Sequence, residues 1–367
     1  MKKSRIVFSF VVLLACVSVS TMARDQYREH LTRMFETAEK KYAFEKYKPS
    51  KYRKWQKAFR QELRQKLGLD VIERMYADYV PTAEKVSSED AGYGIRERWI
   101  IRTEPDVELP IVVLLPKNLN GKVPLMITPH GHGKNTELFA GVYLNEDDRK
   151  SGEEGERNVA VQAVQHGFIG IAPTARGFGE TRTARGKKAD VTSSCHDLMV
   201  QDAIFGRTPV GDRVWDIMKI IDWALENLPV DGKNIIVSGN SGGGTATFYA
   251  GAVDTRISMS LPASSYCCYS PSIGDIVHCE CNYIPGLMTL GDMGDIAGLT
   301  APRCFCAIQG VKDDIFPIQG ARDAFSVTKK VYEAAGVPQN CELYEGPEGH
   351  RYYKAGAWQF IEKHLIK

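Results

Sequence analysis

Residues 235–250 read IIVSGNSGGGTATFYA: three β-forming residues, a serine walled in by glycines, then small residues and aromatics. A strand that reverses sharply into a helix needs positions tolerating positive φ and a backbone approach with no Cβ in the way, which glycine supplies. Gly239-Asn240-Ser241-Gly242-Gly243 fits the G-x-S-x-G turn, in which the serine Oγ stands exposed above the C-terminal edge of a parallel sheet. A chain of 367 residues holds that pattern by accident roughly one time in eight, so its surroundings must decide. They supply the required order. Pro229, Asp231 and Gly232 turn the chain after a long helical pattern, Ile235-Ile236-Val237 form a strand, and residues 244–252 start a helix beneath Ser241.

Outward from this turn the chain alternates between two periods. YGIRERWIIRT (93–103) and ELPIVVLLP (108–116) read as strands joined by a turn at Glu104-Pro105-Asp106, and LMITPHG (125–131) is a short apolar strand ending in glycine. GFIGIAP (167–173), NIIVSG (234–239), RISMSLP (256–262), RCFCAIQG (303–310) and CELYEG (341–346) are further strands, mostly of the continuous, buried kind. Helical patterns lie between them at 157–167, 212–228 and 321–336. Strand and helix in alternation predict an α/β fold, a mostly parallel central sheet with helices on both faces.

Three segments fall outside this rhythm. Residues 1–23 carry a positive start, a short apolar stretch and a small-residue cleavage site at Thr21-Met22-Ala23, which reads as an export signal to the periplasm or the exterior. Leu13-Leu14-Ala15-Cys16 offers a second reading, a lipoprotein anchored through Cys16. Residues 24–80 form a charged, helical N-terminal extension, a leader rather than a core, ahead of a catalytic domain over 81–367. Within that domain a Cys-, Gly- and Ser-rich excursion at about 264–300 reads as a small lid insertion.

Composition narrows the classes. With 43% hydrophobic and 25% charged residues the chain is globular, and a net charge of +2 gives no overall pull toward nucleic acid. The most basic stretch, residues 46–68, also spaces Tyr52, Trp55, Phe59, Leu63 and Leu67 as one face of a helix, so its cations read as that helix's solvated side. No nucleic-acid partner and no stable membrane span are expected. The eight cysteines beyond Cys16 do not reveal a pairing.

A serine hydroxyl needs a histidine to take its proton and a carboxylate to hold the imidazole. When both follow the serine in sequence, the candidate bases are His278, His350 and His364. His364 lies in a terminal helical pattern, whereas His350 lies in the loop EGPEGHRYY directly after the last strand and is the expected base. The loop IQGVKDDIFPIQG supplies two neighbouring acids, Asp313 and Asp314, between which position alone does not choose. Gly242 is expected to give one oxyanion amide, and the loop TPHGHGKN after an early strand the other. His130 and His132 form an H-x-H pair, and His278, Cys279 and Cys281 a second cluster, but neither has the full spacing of a zinc motif. No metal and no cofactor are therefore expected; His130 reads as a brace for the oxyanion loop.

HGHG (130–133), RGFGETR (176–182), GNSGGG (239–244), GVKDDIFP (310–317) and EGH (348–350), in that order, resemble the α/β-hydrolase superfamily, in particular its bacterial acetyl xylan esterase and dienelactone hydrolase-like branch. The likeness covers roughly residues 90–367. It implies that the His132 amide is the second oxyanion donor, that Asp313 rather than Asp314 is the acid, and that Arg176 braces the site. The cysteine-rich excursion departs from the general acetyl xylan esterase pattern. The expected function is a secreted serine esterase acting on acyl, chiefly acetyl, esters of plant-type carbohydrate through Ser241, His350 and Asp313. Rival readings are a prolyl oligopeptidase-like peptidase, which would need a propeller for which the helical leader is too short, and a catalytically silent carbohydrate-binding scaffold.

Overall fold

A computed structural model of the protein describes residues 26–133 and 137–366. The expected export signal and Cys16 lie outside the described residues. Among the described residues nine strands form one sheet: β1 Thr82–Asp90, β2 Gly94–Glu104, β3 Val107–Pro116, β4 Val123–Ile127, β5 Ile169–Pro173, β6 Val230–Asn240, β7 Met259–Ala263, β8 Cys304–Gly310 and β9 Cys341–Gly346. Their spatial order is β1-β2-β3-β5-β4-β6-β7-β8-β9. The first three form an antiparallel meander, β3 pairs antiparallel with β5, and every pairing from β5 to β9 is parallel.

This order fixes where a site can form. From β4 the chain crosses to β5 on one side and then returns past β4 to β6 on the other. The loops leaving β4 and β6 therefore diverge at the C-terminal edge of the sheet, opening the crevice in which ligands of open α/β sheets bind. β5 and β7 are buried along their whole length, as continuous apolar strands covered on both faces should be.

The N-terminal extension is more than a leader. Trp55, Phe59, Leu63 and Leu67 of the helix Tyr52–Leu67 belong to the same buried cluster as Ile101, Leu109, Trp215 and Phe248 of the hydrolase body. The residues of its polar face divide. Lys54 and Lys57 are exposed, while Arg60 Nε donates to the Ala252 carbonyl at 2.8 Å and Arg64 Nη1 to that of Val253 at 3.4 Å. Those carbonyls end the helix Gly242–Val253, where the last turn has no intrahelical donors. The basic run is thus partly a cap on the helix that begins beside Ser241.

The segment over 264–300 also differs from a lid. Tyr266 and Cys267 are fully buried, and the Tyr266 hydroxyl bonds that of Thr328 at 2.7 Å, so the start of the excursion is core. Val277, 94% exposed, marks the part that projects. Among the described residues no helix is long and apolar enough to cross a membrane.

Phe59→Ala is expected to destabilise the protein by about 3–5 kcal/mol, as large-to-small changes in packed cores do. Lys57→Ala, on the exposed face, should stay within about 0.5 kcal/mol. Urea denaturation of both variants checks the assignment of this helix to the core.

Candidate active site

Ser241 directly follows β6 with φ 55° and ψ −122°, a positive-φ conformation that costs a non-glycine residue about 1–3 kcal/mol. Its neighbours hold it there. The Ser241 amide donates to the Ala263 carbonyl at 2.8 Å, and the Ser241 carbonyl accepts from the Thr245 amide at 2.9 Å. The flanking glycines admit the loop after β4: a Cβ on Gly243 would lie 2.0 Å from the Pro129 carbonyl oxygen, and one on Gly242 only 2.8 Å from the His132 ring. Gly242 opens the helix, so its amide is among the first four, which have no intrahelical acceptor.

The loop after β8 and the loop after β9 bring Asp313 and His350 together. His350 Nδ1 bonds Asp313 Oδ2 at 2.9 Å, while Asp313 Oδ1 accepts the amides of Ile315 at 2.9 Å and Phe316 at 3.0 Å. The Asp313 side chain is completely buried, whereas Asp314 is exposed. With Nδ1 donating to the carboxylate, Nε2 is left as the acceptor. Ser241 and His350 line one cleft of about 230 Å³, together with His130, His132, Asn240 and Arg157.

His130 ties two loops together. Its Nε2 accepts the Ala175 amide at 2.9 Å, so Nδ1 carries the proton and donates to the Gly131 carbonyl at 2.6 Å. Burial is the main cause that lowers its pKa, to about 4. His132 is exposed at the rim; its ring packs edge-on to Phe178, and its Nε2 lies 3.4 Å from Cys281 Sγ. Arg176 does not line the cleft that Ser241 and His350 share. Its guanidinium is buried among Asp216 at 2.6 Å, Glu104 at 2.6 Å and Asp212 at 3.3 Å, and its carbonyl accepts from Arg213 Nη2 at 2.9 Å.

Two neighbours of the site were not singled out from sequence. Arg157 lines the cleft, its Nη1 donating to Ser151 Oγ at 2.8 Å and its Nε without an acceptor. Burial, with the nearby Arg351 charge, lowers its pKa. Cys195, alone in its stretch of sequence, lies fully buried beside Cys281 and Phe178. No local spacing could have marked either residue.

Residues 19–270 match the Abhydrolase family. The chain belongs to this family. It is a hydrolase, and its sheet, elbow and loop order are those of the α/β-hydrolase fold, as the sequence resemblance implied. Among curated proteins it is similar to YtaP of Bacillus subtilis (strain 168), a provisionally named hydrolase, at 22% identity over 77% of this chain and 93% of the relative. Among solved structures it resembles a provisionally named acetyl xylan esterase of Bacteroides fragilis, with a TM-score of 0.70 and 20% identity over 89% of this chain and 82% of that one. It also resembles a glucuronoyl esterase from Solibacter usitatus, with a TM-score of 0.59 and 15% identity over 77% of this chain and 84% of that one. At these identities the structural likenesses establish the fold.

The neutrality of His130 makes the loop pair sensitive to acid. Unfolded, the group titrates near 6.5; folded, near 4. Between these values the unfolded chain binds more protons, so stability falls as pH drops through that window, by at most roughly 3 kcal/mol from this group. Urea midpoints measured from pH 7 to 4.5 should decline, and His130→Gln should flatten the decline.

Proposed function

We propose that the protein is an exported serine esterase acting on acyl esters of carbohydrate, acetyl esters first among them. The observation that carries this reading is the cleft shared by Ser241 and His350, backed by the buried His350–Asp313 hydrogen bond of 2.9 Å. Ser241 Oγ attacks the ester carbonyl while His350 Nε2 takes its proton, and Asp313 holds the ring and stabilises the imidazolium. The His132 and Gly242 amides receive the oxyanion, each worth about 3 kcal/mol at the transition state. His350 then protonates the departing alcohol, and a water activated by the same ring releases the acid. Residues 1–23 motivate export, and the esterases among the structural neighbours motivate the substrate class.

A second reading of the substrate has its own support. Among the described residues no carboxylate pairs with Arg157, so this cation in the cleft wall is suited to an acid-bearing sugar chain, such as one built on uronic acids. A peptidase of the prolyl oligopeptidase type has no such support: among the described residues, the elements before β4 are helices and one antiparallel meander rather than propeller blades.

Labelling with a fluorophosphonate probe, followed by peptide mass mapping, should place the adduct on Ser241. Ser241→Ala and Asp313→Asn should each lower kcat on the order of 10⁴-fold, with the fold unchanged by circular dichroism. Asp314→Asn should stay within a few-fold. A larger loss from Asp314→Asn than from Asp313→Asn would overturn the acid assignment, and well-folded protein that neither labels nor turns over esters would return the silent scaffold. Acetate release from acetylated xylan, set against methanol release from methyl-esterified polyuronate, separates the two substrates. Arg157→Gln should raise KM on the second substrate far more than on the first.

A further inference from the structure

Beside the cleft, three loops far apart in sequence bring sulfur and nitrogen donors to one point. His132 comes from the loop after β4, Cys195 from the first turn of the helix Cys195–Phe205, and Cys279 and Cys281 from either side of the start of the short helical turn Glu280–Asn282. One donor atom from each of the four lies within 4.8 Å of all the others. Cys281 Sγ is 3.4 Å from His132 Nε2 and 3.5 Å from Cys279 Sγ. A tetrahedral zinc ion, with bonds of about 2.3 Å to thiolate and about 2.0 Å to imidazole, requires separations of about 3.8 Å between sulfurs and about 3.5 Å from sulfur to nitrogen. The two separations from Cys281 stand within a few tenths of an ångström of those edges, and no pair among the four donors exceeds 4.8 Å.

The charge balance points the same way. Arg213 is only 5% exposed, and among the described residues no carboxylate pairs with it. It donates instead to Cys195 Sγ at 3.2 Å and to the Arg176 carbonyl at 2.9 Å. A buried cation left without a counter-charge costs several kcal/mol. Zinc with three thiolates and one neutral imidazole carries a net charge of −1, which Arg213 offsets. A disulfide would join only two of the three sulfurs and provide no such charge.

We propose that His132, Cys195, Cys279 and Cys281 bind one zinc ion in a closed, four-coordinate site. With every position filled by a protein ligand, the ion is a brace rather than a Lewis acid. It ties the loop after β4 to the projecting part of the 264–300 segment and to the helix that starts at Cys195. Both halves of the cysteine and histidine pattern in the sequence were incomplete because each supplies only part of the ligand set. Binding three thiols and an imidazole releases the thiol protons to solvent, and no electron is transferred.

The mature chain, purified from zinc-supplemented culture without chelator, should contain about one zinc per molecule by plasma mass spectrometry. Cys195→Ser and Cys281→Ser should each reduce this to below about one-tenth, while Cys268→Ser, outside the cluster, should retain it. Cobalt(II) added to the demetallated protein should give thiolate-to-metal charge transfer and the intense visible bands of a tetrahedral site. His132→Ala should shift those bands. Should the cysteine variants fail to fold, the wild-type metal content and cobalt spectrum still decide. Folded wild-type protein without zinc, a cobalt spectrum like that of the aqueous ion, or a disulfide between two of the three cysteines in the purified chain would each overturn the proposal.

Discussion

The Pro129 carbonyl oxygen stands where a Cβ on either Gly239 or Gly243 would collide with it, at 2.5 and 2.0 Å respectively. Much of the site depends on this approach of one backbone to another. It allows the loop after β4 to lie on the turn after β6, which brings the His132 ring over Gly242 and the His130 ring between its own loop and Ala175. Space for a side chain at either glycine would have to be made by moving main chain, and the loop would move with it. The positive φ of Ser241 is the local cost, offset by hydrogen bonds to β7 and to the first turn of the helix.

Support for that helix comes from both ends. At its start the backbone is clamped by the loop after β4, and at its finish Arg60 and Arg64 satisfy carbonyls that a helix terminus leaves open. A charged segment at the front of the chain therefore contributes to the rigidity of a turn about 180 residues later, through hydrogen bonds and through the aromatic face of Trp55 and Phe59. Rigidity of this kind would serve Ser241 in its proposed role as nucleophile, because small displacements are costly in rate.

Much of this was legible in the residues themselves. The buried strands announced themselves through unbroken apolar runs such as IVVLL and FIGIA, and the elbow through its glycines. The pairing of His350 with an acid from IQGVKDD followed from loop order, which did not choose between Asp313 and Asp314; the family resemblance implied Asp313, and burial, the bond to His350 and the amides of Ile315 and Phe316 set it apart from Asp314. The first strand, TAEKVSSED, was silent because it has almost no buried face and so no alternation to detect. The helix Tyr52–Leu67 was visible, but its place in the core was not: amphipathic spacing shows that a face is buried and does not say against what. Cys195 and Arg213 were invisible for a related reason, since contacts across tens of residues leave no trace in local spacing.

β1 has a consequence for how copies of the protein meet. Among the described residues it ends the sheet with one side unpaired, and an open row of amides and carbonyls is a template on which another extended chain can add. Here the edge carries Glu84, Lys85, Glu89 and Asp90 and is bent by a register shift between Lys85 and Ser87. A strand arriving from a neighbouring molecule would meet charge of both signs and a broken ladder. Along this margin the sheet is guarded against further pairing by residues that take no part in the core.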